Sequence, residues 1–149
     1  MRGTRVMALG LMACLVPAVA GAEAVDPTHA EESDAVVSFV VAEAVGAVLS
    51  LEQTKIIKSV AYQQSVSAVC PGFEVDEARQ TAELKRIAPE GERTPEESQT
   101  LTNAVMFAMG AHLGSHLAIA MQDEAAFCAH AEAEREDPSA EHLIWVATP

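Results

Sequence analysis

The stretch Thr94–Met121, TPEESQTLTNAVMFAMGAHLGSHLAIAM, decides the fold. Thr94 is a suitable N-cap, Pro95 fits the first helical position, where its missing N–H costs nothing, and Glu97 completes a T-x-x-E capping box. No charged residue follows Glu97 before Met121, and from Leu101 onward almost every face is apolar or small. A helix of that kind is expected to lie at the centre of a bundle, surrounded by other elements. Gly110-x-x-x-Gly114, with Ala118 one turn further, predicts a small-residue face that lets a neighbouring helix approach closely.

The same stretch is long enough to span a bilayer. Asn103, His112, Ser115 and His116 are expensive in hydrocarbon, and no aromatic belt or basic flank marks its ends, so the expectation is a buried strut and no membrane span.

Working outward, the preceding chain reads as three more helices. The first starts between Thr28 and Asp34 and carries Val37, Val41, Val45 and Val48 on one stripe, widened by Val36, Phe39 and Val40. Ser50 caps the second, with Ile57, Val60, Ala61 and Ala68 inside and Lys55 and Lys58 outside. It stops at Cys70-Pro71-Gly72. Asp76 caps a short polar helix held by Leu84 and Ile87 and ended by Pro89-Glu90-Gly91.

After Met121, Asp123 caps a last helix that ends at Asp137-Pro138, with Met121, Ala125 and Cys128 facing one way and Glu132, Glu134 and Glu136 the other. The tail Leu143–Val146 holds the one tryptophan and should dock as a short helix or an extended segment. The fold class is all-α: a single-domain bundle of four to five helices over residues 23–149, with one central buried helix and one disulfide.

Residues 1–22 read as an export signal. Arg2 and Arg5 form a positive start, Val6–Val16 an apolar run, and Pro17 precedes two A-x-A cleavage sites, after Ala20 and Ala22. The protein is therefore expected to be periplasmic or secreted. Leu11-Met12-Ala13-Cys14 approximates a lipoprotein box, so anchoring through lipidated Cys14 is the alternative. Two cysteines remain after processing, Cys70 and Cys128, and in an oxidising compartment they should pair, worth roughly 4 kcal/mol in the chain-entropy model. A formal net charge of −13 would repel nucleic acid and anionic lipid. It suits solubility first, and a basic protein partner in the envelope second.

Met109, His112 and His116 fall at i, i+3 and i+7 and share a helix face. Imidazole suits copper, zinc and haem iron, and a thioether favours copper(I), so these three are the candidate metal residues. Further ligands would come from His130, His142 or Asp123. The helix lacks the glutamate of a zinc-protease H-E-x-x-H, and the chain has no G-x-S-x-G elbow, phosphate loop or dinucleotide fingerprint. The expectation is a protein without catalytic residues, a binding or structural module without cofactor. Metal or haem binding through His112 and His116 is the alternative.

At Cys70-Pro71-Gly72-Phe73 and Phe127-Cys128, followed by an acidic stretch and a terminal apolar segment, the chain resembles small exported bacterial two-cysteine helical proteins of unknown function. The resemblance implies a disulfide-tied helical domain in the cell envelope and carries over no site residues.

Overall fold

In the computed structural model, the described residues are 27–88, 91–137 and 142–146. The expected export signal and Cys14 lie outside them, as do Pro89, Glu90 and Pro138 among the predicted helix stops. The described chain is all-helical: α1 Pro27–Val45, α2 Leu51–Val69, α3 Glu77–Ile87, α4 Pro95–Gln122 and α5 Glu124–Glu136.

Local chemistry sets the helix ends. Ser50 accepts from the Gln53 amide while the Gln53 side chain accepts from the Ser50 amide, a reciprocal box that starts α2. Thr94 and Glu97 make the same exchange at α4. Asp76 accepts from the amides of Ala78 and Arg79, and Asp123 from that of Ala126. α1 ends short of Leu49 in a turn at Gly46, where a Cβ would meet the Ala42 carbonyl oxygen at 2.5 Å. Gly72 turns the chain after α2 with φ +83°, a region that glycine enters without steric cost.

α2 and α4 form the central pair; α1 packs on α4, α3 on α2, and α5 touches both α2 and α4. The main core joins Val41, Val45 and Leu49 to Ile57, Val60, Ile87, Ala104, Ala108 and Ile144. Only one stripe of α1 is covered. Val48, expected on the stripe itself, and Val36, Phe39 and Val40, expected to widen it, are exposed, because Val37, Val41 and Val45 recur every four residues toward the bundle and Leu49 continues their row.

α4 required the larger correction. Its buried residues are Ala104, Ala108, His112, His116 and Ala120, strictly four apart, one row along the helix. Gly110 and Gly114 sit two positions from this row, about 200° around the axis at 3.6 residues per turn. Both are exposed, and a Cβ built on either meets nothing within 4 Å. Their predicted role in close helix packing is therefore overturned. The small residues that α4 buries are instead Ala104, Ala108 and Ala120, on the opposite side.

A second cluster closes the far end of the bundle: Val66, Cys70, Phe73, Phe127, Ala131 and Trp145. Cys70 and Cys128 are bonded within it, joining α2 to α5 across a separation of 58 residues with Cα atoms 5.5 Å apart. Phe127 and Ala131 supply the inner face of α5, whereas Met121 and Ala125 are exposed. Phe73 packs edge-on against Trp145 at 4.8 Å, and the Arg135 guanidinium lies 4.3 Å from the Phe73 ring centroid.

The tail docks in extended form. Val146 donates to the Glu74 carbonyl and Asp76 to that of Ile144, an isolated antiparallel bridge between Val75 and Trp145. Buried Gln63 clamps it: Oε1 accepts from the Ile144 amide, Nε2 donates to the His142 carbonyl, and the Gln63 carbonyl accepts from the Trp145 indole. Among the described residues there is no β-strand beyond that single bridge.

Candidate metal centre

The four-residue row on α4 begins with alanines and then turns polar. His112 is fully buried and His116 is 8 % exposed. Being one turn apart on the same row, the two imidazoles enter the bundle in the same direction, with ring centroids 6.4 Å apart and planes 24° from parallel.

Asp34 of α1 meets them. It lies one turn before Val37 and two before Val41 on the covered stripe of α1, so the helix that buries those valines carries its carboxylate to the histidines. Ligand atoms of Asp34, His112 and His116 all lie within 4.8 Å of one another. Asp34 Oδ1, both ring nitrogens of His112 and Nε2 of His116 are buried and meet no hydrogen-bond partner within the chain. Each such atom costs about 1–3 kcal/mol of lost hydration if left so. Hydrophobic residues of similar size would have filled this space without that cost, so the convergence of these polar atoms requires an explanation beyond packing.

Lys58 completes the cluster. Expected on the outside of α2, it reaches back to donate to Asp34 Oδ2 at 2.5 Å and to Ser38 Oγ at 3.3 Å. The two carboxylate oxygens are thereby divided: Oδ2 faces the ammonium, while Oδ1 is the unpartnered atom among the histidines.

Burial pushes the proton affinity of both imidazoles down. For His112 the Lys58 charge acts in the same direction and Asp34 opposes it. For His116 loss of hydration dominates, Asp34 opposes, His112 and Lys58 add, and the pKa falls to about 4. Both rings are neutral at physiological pH, the state in which imidazole coordinates a metal.

A cleft of about 430 Å³ opens beside the pair, lined by Asp34, Lys58, Tyr62, His116, Phe127 and His130 among others. Tyr62 sits edge-on to His116 and Phe127. Burial and the neighbouring Glu134 carboxylate hold its phenol protonated. A second cleft, of about 380 Å³, includes Ser38, Lys58 and His112 in its wall.

Of the candidate ligands read from sequence, His112 and His116 are brought together. Met109 is half-buried against the main core cluster. Of the expected additional ligands, His130 faces solvent at the cleft edge within 3.8 Å of Glu134, His142 bonds to Glu83 and Arg86, and Asp123 caps α5. Asp34 takes their place. The signal that could have found it is its register: it is an acidic residue continuing the Val37–Val41–Val45 stripe.

The chain matches no protein-family model, no curated protein and no solved structure.

Proposed function

We propose that this protein is an exported, non-catalytic binder of a divalent transition-metal ion, held by Asp34, His112 and His116. The observation that carries the reading is the meeting of three metal-ligating side chains, four of whose polar atoms are buried with no hydrogen-bond partner in the chain. One carboxylate and two neutral imidazoles form a borderline donor set suited to zinc, copper(II) or nickel. With bonds of about 2.0–2.2 Å, ligand atoms around one zinc ion stand about 3.3 Å apart, so the 4.8 Å spread contracts by up to about 1.5 Å on binding.

The same geometry disfavours haem. Two nitrogens one helical turn apart approach from one side, and a porphyrin with two histidine ligands needs them on opposite faces. Met109 packs against the main core cluster, so the donor set proposed here is Asp34, His112 and His116 without its thioether. The acidic surface keeps such a carrier soluble, and the disulfide fits the oxidising compartment that the N-terminal segment implies.

The test is zinc titration of the processed protein, purified from the periplasm of an expressing host and stripped with chelator. One ion per chain is expected, with affinity reduced by at least about 100-fold in His112→Ala, His116→Ala and Asp34→Asn, since each removes one of three ligands. Equal zinc binding by the wild type and these variants would dismiss the site.

A further inference from the structure

Lys58 gives this site a property that its three ligands alone would not have. We infer that the Lys58 ammonium is a built-in competitor for the metal ion, which it opposes at the Asp34 carboxylate, so that the site loads and releases its ion instead of holding it permanently. The inference rests on the metal reading above.

Three observations carry it. First, Lys58 Nζ is bonded directly to a would-be ligand, Asp34, at 2.5 Å. A dication on Oδ1 would stand a few ångströms from that ammonium, and like charges so close, in a partly buried setting, repel strongly. Second, Lys58 has somewhere to go. Its side chain is 36 % exposed and it forms part of the wall of both clefts that flank the histidines. The ammonium can swing into solvent without repacking the core. Third, among the described residues three ligands meet. Structural zinc sites close with four protein ligands, whereas three leave a position open for exchange.

The metal-free chain gains from the arrangement as well. With Lys58 in place Asp34 is a paired carboxylate, and α1 stays tied to α2. Uptake of a dication then exchanges one cation for another at Asp34. The ammonium thereby sets a threshold concentration below which the site stays metal-free.

Two measurements on the full processed protein, with Zn²⁺ alone as the probe, test this. Competition against a chromophoric chelator compares the wild type with Lys58→Met, which keeps the aliphatic stem and removes the charge. The variant should bind zinc about tenfold more tightly or better. Acylation of lysines followed by peptide mass analysis should show Lys58 labelling rise at least about twofold on zinc loading, with Lys85 unchanged as internal control.

If the wild type binds zinc but Lys58→Met binds no tighter, or Lys58 labelling does not rise, Lys58 is not a competitor and this inference is overturned while the metal site stands. If neither protein binds zinc, the metal reading itself is overturned, and the inference with it. Circular dichroism of Lys58→Met at 25 °C checks that the variant is folded, and Lys58→Gln replaces it if it is not.

Discussion

His116 offers the sharpest physical test of the site, one that needs no metal. Its imidazole is buried against His112 and Tyr62, and its pKa falls from the ordinary 6.5 to about 4, chiefly through lost hydration. The unfolded chain therefore takes up this proton first as the pH drops. The native state has its full stability above about pH 6.5, loses it as the solution acidifies, and has lost all of this contribution once His116 itself protonates near pH 4. The interval between 6.5 and about 4 corresponds to about 3 kcal/mol. Between pH 7 and pH 4.5, roughly 2 kcal/mol of it should be lost.

Many carboxylates protonate over the same range, so the measurement must be a difference. Urea unfolding of the wild type and of His116→Gln, in chelator, at pH 7 and pH 4.5, cancels their common contribution. The wild type should lose roughly 2 kcal/mol more than the variant on acidification. A difference under about 0.5 kcal/mol would mean that His116 is readily protonated in the native state, and the buried site described above would be wrong.

Other expectations follow from the supporting structure. Joint replacement of Cys70 and Cys128 by serine should lower stability by about 2–4 kcal/mol, read as a shift in the urea midpoint, because the bridge closes a long loop between α2 and α5. Gln63→Leu leaves the Ile144 amide without its acceptor and should cost about 1–3 kcal/mol, with Trp145 fluorescence shifting to the red at lower urea than in the wild type. Thr94→Ala removes the acceptor for the Glu97 amide and should cost about 1 kcal/mol by thermal unfolding followed by circular dichroism.

The parts of this fold legible in the sequence are those decided locally. Ser50, Asp76, Thr94 and Asp123 each bond to amides within three residues, so a short window contains both partners. The pairing of Cys70 with Cys128 was expected from an even number of cysteines in a chain read as exported, and the bond is present. The orientation of α4 was not legible, because a helix apolar on nearly every side has no preferred face in its own sequence. Which row turned inward was settled by the narrow valine stripe of α1 and by α2. Asp34 was missed for a related reason: its role depends on two histidines far along the chain. Asp34 also marked the late limit of the expected start of α1, which gave it a simpler reading as a helix-end residue. Lys58 looked like an ordinary outer residue because its reach toward α1 is a matter of side-chain length, which periodicity does not record.

The tail clamp has a consequence for how the molecule is made. Trp145 and Ile144 supply one large side chain to each of the two core clusters, and Gln63 waits for both. These residues are the last of the described chain to leave the ribosome. Until they arrive, α2 presents an unfilled groove and an unanswered amide, and the cooperative fold cannot close. Closure of both core clusters is thereby tied to the docking of one short extended segment.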